Sequence, residues 1–210
     1  GVPELPEVEV VRAGLEPAVV DALITSVDVL DPRALTRHPG TPQQFESDLA
    51  GRRIVAAVRR GKFLWMPLSA ASGDDSLPQQ AMVTHLGMSG QMLLRTPGSP
   101  AERHERVRIE LEHPRHGALS VVFADQRTFG SLAIDGLVAT PDAAPAGRGS
   151  ALPRVPSQVA HIARDPLDPA FDVAAFRARL GRTSSGIKRV LLDQTVASGI
   201  GNIYADEALW

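Results

Sequence analysis

The 210 residues contain no cysteine. Disulfides and thiolate zinc sites are therefore excluded within them, and the absence fits a cytosolic protein. No apolar run reaches the roughly 20 residues that span a bilayer. The N-terminus lacks the basic and apolar regions of a signal peptide, so the chain reads as soluble and intracellular. Nor is there a surplus of charge. The 22 basic and 24 acidic residues leave a net charge of −2, and the total gives no sign of a nucleic-acid partner. The six histidines, among them His113 and His116 on an expected hairpin turn, form no convincing metal constellation. No internal repeat is present.

With 43% apolar residues the chain can close a sizeable core. Its charges are unevenly placed. Glu4, Glu7 and Glu9 crowd the start, whereas Arg52, Arg53, Arg59, Arg60 and Lys62 fall within eleven residues. Such a local basic patch can bind phosphate even at near-zero total charge, because the Debye length is only about 8 Å at physiological salt.

Residues 4–20 carry apolar positions at Leu5, Val8, Val11 and Leu15, which is helical spacing, with Pro6 tolerated in the first turn. Short β-branched stretches follow at 24–30, 53–59, 62–68, 81–86, 91–95, 106–112, 119–124 and 131–135, separated by Gly, Pro and Asp. About eight such strands suggest an antiparallel sandwich or barrel. From 136 to 160 the composition turns to Pro, Ala, Gly and Ser, as in an exposed linker or a long loop. Beyond it the period changes to 3.6. Helices are expected at 172–180, with Asp172 as N-cap, at 185–195, and from Asn202 onward. The chain stops inside that third helix, which reads as a truncation.

The opening VPELPEVEVVRAGL is the richest stretch chemically. A proline with a free imino nitrogen is a secondary amine, a nucleophile able to attack an acetal-like carbon and leave an iminium. Glu4 beside Pro3, and Glu7 three residues on, could supply the acid such a step needs. A Pro-Glu start is also an ordinary helix N-terminus with dipole-favourable acids. Five segments together decide between the two. PELPEVE, RRGKFLW at 59–65, HLGMSG at 85–90, DQRTFG at 125–130 and GIGNIYADEAL at 199–209 resemble, in order and spacing, the formamidopyrimidine-DNA glycosylase family. The resemblance covers residues 3–210, and Leu5 in PELPEVE is similar to the formamidopyrimidine branch rather than the endonuclease VIII branch.

The resemblance implies an α+β fold: an N-terminal antiparallel β-sandwich with a flanking helix over 1–135, a loop or linker over 136–160, and a partial, all-α helix–two-turns–helix domain over 161–210. It implies a bifunctional glycosylase and AP lyase of base-excision repair that removes oxidised purines such as 8-oxoguanine and formamidopyrimidines. The abasic strand would then be cut by β,δ-elimination through a proline Schiff base. Pro3 matches the nucleophile, Glu4 the general acid, Glu7 a second glutamate that helps position the site, and Lys62 a lysine gripping the phosphate beside the lesion. An enzyme that extrudes a nucleotide must fill the gap it leaves. Met88, Arg127 and Phe129 match the family's fillers, with Arg127 facing the orphaned base. Met88 and Phe129 would suit a core equally well, but their glycine flanks favour exposed turns. Asn202 matches a phosphate contact at a helix N-terminus, and Lys188 is either a further contact or a solvated helix lysine. The implied partner is damaged double-stranded DNA, bound by a monomer with no membrane and no small-molecule cofactor.

Three departures qualify the match. Gly1 and Val2 precede Pro3, and a peptide bond to Val2 makes its nitrogen a planar amide that cannot attack. A cloning residue followed by a literally translated GTG start would explain them, and the chain as written is then expected to be inactive. The family's zinc finger, with four cysteines and an arginine, has no counterpart in these residues, so no zinc is expected here and DNA affinity should be weak. Finally, the family's DPRRFG appears as DQRTFG, with Gln126 and Thr128 in place of Pro and Arg, which puts the local loop geometry in question. An endonuclease VIII-like preference for oxidised pyrimidines and a non-catalytic binder of damaged DNA are the rival readings.

Overall fold

A computed structural model describes residues 5–70, 77–162 and 164. Its first element, α1 (Leu5–Val19), turns a stripe of 3.6-residue spacing inward. Val8, Leu15 and Val19 in that stripe are buried, and Arg12 occupies the position between Val8 and Leu15. A buried guanidinium is costly unless its donors are taken. Arg12 donates to Glu9, Glu16 and the Ala57 carbonyl, so the stripe tolerates it.

Among the described residues nine strands follow: β1 (Leu23–Val29), β2 (Val58–Arg60), β3 (Phe63–Leu68), β4 (Gln80–His85), β5 (Gly90–Arg95), β6 (Glu105–His113), β7 (Gly117–Asp125), β8 (Ser131–Ala139) and β9 (Arg154–Pro156). They make two antiparallel sheets, ordered β1-β6-β7-β5 and β2-β3-β4-β8-β9. The expected strand at 53–59 is split. Only Val58–Arg60 joins the sheet, while Arg53 and Ile54 make isolated bridges to Leu23 and Leu68.

The inner faces of the sheets meet in one core that includes Ile24, Ile109, Val121, Phe123, Met82 and Leu132, with Val8, Leu15 and Val19 of α1 joining it. This is the α+β sandwich with a flanking helix. Strand β3 is buried on both faces. Leu64, Met66 and Leu68 face the main core, whereas Phe63 and Trp65 face a second one with Val83, Leu137, Ala146, Val155, Val159 and Ile162.

That second core corrects the picture of 136–160 as an exposed linker. β8 runs on to Ala139, β9 pairs with it from Leu137↔Pro156 to Ala139↔Arg154, and Ala146, Val155 and Val159 are buried. The Pro/Gly-rich composition is real, but its few apolar residues cover the outer face of the second sheet as a third layer. Backbone pairing between Arg59 and Arg148 and the Arg60 Nε bond to the Ala146 carbonyl, 2.8 Å, fasten it.

Two further elements, a 3-10 turn (Pro32–Leu35) and α2 (Pro42–Leu49), lie between β1 and β2. Thr41 and Gln44 form a reciprocal capping box around Pro42, and Phe45 and Leu49 are buried against the core. No helix is expected here from the sequence, its capping signal TPQQF being short. The helices expected at 172–180, 185–195 and 202–210 lie outside the described residues. Among the described residues no helix is long and apolar enough to cross a membrane.

Candidate nucleic-acid interface

The sheet orders dictate which turns become neighbours. β4 pairs with β8, His85 opposite Ser131, and β5 pairs with β7, Gly90 opposite Asp125. The chain therefore crosses between sheets twice at one end of the sandwich, through 86–89 and back through 126–130. β3 pairs with β4, Phe63 opposite His85, which brings the Gly61–Lys62 turn to the same end. The first turns of α1 complete the group. Glu7 and Val11 line one depression with Met88 and Ser89, and Val8, Lys62, His85, Met88 and Phe129 line an adjoining one.

The two crossover turns touch backbone to backbone. A Cβ on Gly87 would sit 2.7 Å from the Gly130 nitrogen, and one on Gly130 would sit 2.8 Å from the His85 and Leu86 carbonyl oxygens. Gly87 also has φ +63°, which favours glycine. Asp125, 1% exposed, ties the turns together through its side chain. Its carboxyl accepts the Ser89 hydroxyl at 2.6 Å, the Gly130 N–H at 2.7 Å and the Arg127 N–H at 3.3 Å. The Arg127 N–H also reaches the Ser89 Oγ at 3.1 Å. Between these bonds Thr128 adopts φ +56°, a left-handed conformation that costs a β-branched residue on the order of 1–3 kcal/mol. Thr128 replaces the family's arginine, and its hydroxyl donates to the Arg127 carbonyl at 2.6 Å.

Of the residues singled out by sequence, Glu7, Lys62, Met88 and Phe129 share this end. Arg127 stands exposed on the same turn as Phe129. Met88 is 38% and Phe129 62% exposed, and the two lie together along one depression. Lys62 is partly exposed and makes no ion pair with a described carboxylate. Pro3, Glu4, Lys188 and Asn202 lie outside the described residues.

The basic run looked like a phosphate-binding patch and for the most part is not one. Arg52, Arg59 and Arg60 are buried and spend their donors internally. Arg52 donates to the Ser69 carbonyl and Gln80, Arg59 to Glu9 and the Gly61 carbonyl, and Arg60 to the Ala146 and Ile162 carbonyls. Glu9 sits among Arg12, Arg59 and Arg148. Burial pushes its carboxyl up, but hydrogen bonds and charge from Arg12 and Arg59 outweigh that and hold it lower than an ordinary glutamate.

Sequence reasoning missed His85, although it opens the HLGMSG segment. It lies beside Lys62 in the depression and tilts on Phe63 with ring centroids 4.9 Å apart. Its buried Nδ1 has no hydrogen-bond partner. Burial first, then the nearby charges of Arg37 and Lys62, push its pKa down to about 4, so the ring is neutral at pH 7. His113 is otherwise engaged: its Nε2 lies 3.0 Å from the Val20 carbonyl, and its Nδ1 accepts the Arg115 and His116 N–H groups. Among the described residues no three His, Cys, Asp or Glu side chains converge on a point that could hold a metal. The four thiolates implied for a zinc finger have no counterpart in the 210 residues.

Comparison with known proteins agrees with this geometry. Residues 2–132 match the family description formamidopyrimidine-DNA glycosylase N-terminal domain, and residues 162–210 match its H2TH domain. The chain is 61% identical over 208 residues to the formamidopyrimidine-DNA glycosylase of Leifsonia xyli, covering 99% of this chain and 68% of the relative. It is 49% identical over 213 residues to that of Kineococcus radiotolerans, covering 99% and 67%. The chain thus spans about two-thirds of the length of these relatives. Among solved structures, it superposes on the Lactococcus lactis enzyme non-covalently bound to DNA containing an AP site, with TM-score 0.71 and 28% identity over 99% of this chain and 68% of that one. The same similarity holds for a Lactococcus lactis complex with DNA containing FAPY-dG, covering 99% and 67%. Two matching family descriptions and relatives similar over nearly every residue lead to one assignment: the chain belongs to the formamidopyrimidine-DNA glycosylase family of base-excision repair enzymes.

Proposed function

We propose that the protein excises oxidised purines, 8-oxoguanine and formamidopyrimidines, from duplex DNA and then cuts the strand as an AP lyase. The observation that carries this reading is the convergence at one end of the sandwich of Lys62, Met88, Arg127 and Phe129 with the first turns of α1. Pro3 lies two residues before that helix. As a free secondary amine it would attack C1′, forming the N–C1′ bond as the bond to the base breaks with its electron pair. Glu4 would deliver the proton that the leaving base or the ring oxygen takes up. Opening of the sugar leaves an iminium, from which loss of the C2′ proton expels the 3′ phosphate and a second elimination expels the 5′ phosphate. Glu7 helps position these groups.

The remaining residues act on the duplex. Lys62 grips a phosphate beside the lesion, and His85 is placed to give the same phosphate an N–H. Phe129 and Met88 present the apolar surface that replaces a flipped nucleotide in the stack, with Arg127 turned to the unpaired base. Lys188 and Asn202 are proposed as further phosphate contacts, on the resemblance alone. Support for the lesion class comes from the relatives, whose solved complexes include DNA carrying carbocyclic 8-oxo-G and FAPY-dG.

Borohydride trapping tests the mechanism. A full-length protein beginning at Pro3 is expected to form a covalent adduct with an abasic or 8-oxoguanine duplex, and the same protein beginning Gly1-Val2 is expected to form none. Binding to the abasic duplex without any adduct from the Pro3 form would make it a binder of damaged DNA and not a lyase.

A further inference from the structure

We infer that Asp125 is a positioning residue that joins the two crossover turns into a single wedge, so that Met88, Arg127 and Phe129 enter DNA as one unit. The inference rests on the reading of those three side chains as gap-fillers. It is carried by an arrangement no element of the sandwich requires. Asp125 ends β7, yet its buried carboxyl sends nothing into either sheet. Every partner of that carboxyl lies in a turn: Ser89 in the turn bearing Met88, and Arg127 and Gly130 in the turn bearing Phe129.

Three features make the pair a unit. The glycine contacts remove side chains from the interface, so the turns meet through rigid backbone: a Cβ on Gly87 would fall 2.9 Å from the Phe129 carbonyl carbon. The Ser89 hydroxyl donates to Asp125 and accepts from Arg127, closing a three-cornered ring that spans both turns. The bonds to Arg127 and Gly130 bracket Thr128 and hold its left-handed φ of +56°. Without the bracket a β-branched residue relaxes toward negative φ, and Phe129, the next residue, swings with it. An exposed aromatic wedge unstacks base pairs only if its own position resists the load, so rigidity here bears on extrusion and not on the bond-breaking steps.

The test separates extrusion from chemistry in the full-length protein beginning at Pro3. Asp125→Asn keeps the size but replaces one acceptor by a donor, so whichever way the amide turns its NH2 opposes a backbone N–H, that of Gly130 or that of Arg127. Excision of 8-oxoguanine from a duplex is expected to fall about tenfold or more, the equivalent of one well-made hydrogen bond. Lyase cleavage of a single-stranded abasic oligonucleotide, which needs no extrusion, should stay within about twofold by the same scale. Fluorescence of 2-aminopurine placed beside the lesion, which rises on unstacking, should lose most of its increase. Ser89→Ala should shift all three readouts the same way, and Ser89→Thr, which keeps the hydroxyl, should restore them. Equal loss of both activities would make Asp125 merely structural and overturn the inference, as would full retention of duplex excision and fluorescence. Phe129→Ala and Met88→Ala serve as controls. If they leave the fluorescence rise intact, the gap-filler reading itself falls, and the inference with it; if they abolish it while Asp125→Asn does not, only the inference falls.

Discussion

Two carboxyl groups, half-buried Glu9 and buried Asp125, solve the same problem in opposite ways. Glu9 is satisfied by the guanidinium groups of Arg12, Arg59 and Arg148, which belong to α1, β2 and the third layer. Asp125 is satisfied by a hydroxyl and two backbone N–H groups within two neighbouring turns. The first arrangement fastens separate layers to each other through charge. The second shapes a local surface without any cationic partner. An ion cluster is strong but leaves a poorly compensated charge when one member goes, whereas a capped turn leaves only neutral donors unmet.

The contrast predicts unequal costs. Glu9→Ala should destabilise by about 3–5 kcal/mol, because it takes one carboxylate from Arg12, Arg59 and Arg148 at once, the first two of them buried. Asp125→Ala should cost about 1–3 kcal/mol in the same urea titration. Equal losses would mean that the turns carry the fold as much as the ion cluster does, and the comparison would break.

Acid sharpens it next. His85 has its folded pKa pushed down to about 4, so between its ordinary value near 6.5 and that point the unfolded chain binds a proton that the native state refuses. Stability from this group is complete above about 6.5 and lost as pH falls toward 4, by on the order of 2–3 kcal/mol. Glu9, also held low, adds a loss that begins only when pH falls through the ordinary glutamate range near 4.3. Denaturation midpoints at pH 7 and pH 5 should therefore converge in a His85→Gln variant, while Glu9→Gln should leave that gap nearly unchanged.

Gly130→Ala tests the backbone contact between the turns. Its Cβ would lie 2.8 Å from two carbonyl oxygens and 2.9 Å from the Phe123 ring, and a shift of that kind costs about 1–3 kcal/mol in thermal unfolding. The smallest effect concerns Thr128. Thr128→Gly should relieve the left-handed strain and raise stability by about 1 kcal/mol or less, while slowing duplex excision because the Phe129 turn is freer. A gain in both properties would show that strain at Thr128 serves nothing.

These particular residues also show where sequence reading succeeds and stops. The long periodic elements were legible: α1 from Leu5, Val8, Val11 and Leu15, and β6, β7 and β8 from their β-branched runs. Turn exposure of Met88 and Phe129 could be anticipated from their flanking glycines. The third layer could not, because Ala146, Val155 and Val159 are scattered among Pro, Gly and Ser with no period to announce a buried face. Arg59 and Arg60 misled because burial of a cation depends on carbonyls and carboxylates far along the chain, 50 residues away for Glu9 and 86 for Ala146. Asp125 was in plain view within DQRTFG, yet its partner Ser89 is 36 residues distant, and nothing local pairs them.

Strand β3 carries a consequence for time as well as for shape. Both of its faces are sealed, one against the sandwich core and one under the third layer, and β4 pairs along its full length. Its amides should exchange with solvent only through global opening, and the Gly130 amide, held by the buried Asp125 carboxyl, should be protected as well. Lys62 abuts that sealed strand. The hand proposed to hold the phosphate is thus anchored in a sealed strand, and the finger proposed to probe the stack is braced by a buried carboxyl, so neither should give way before the DNA does.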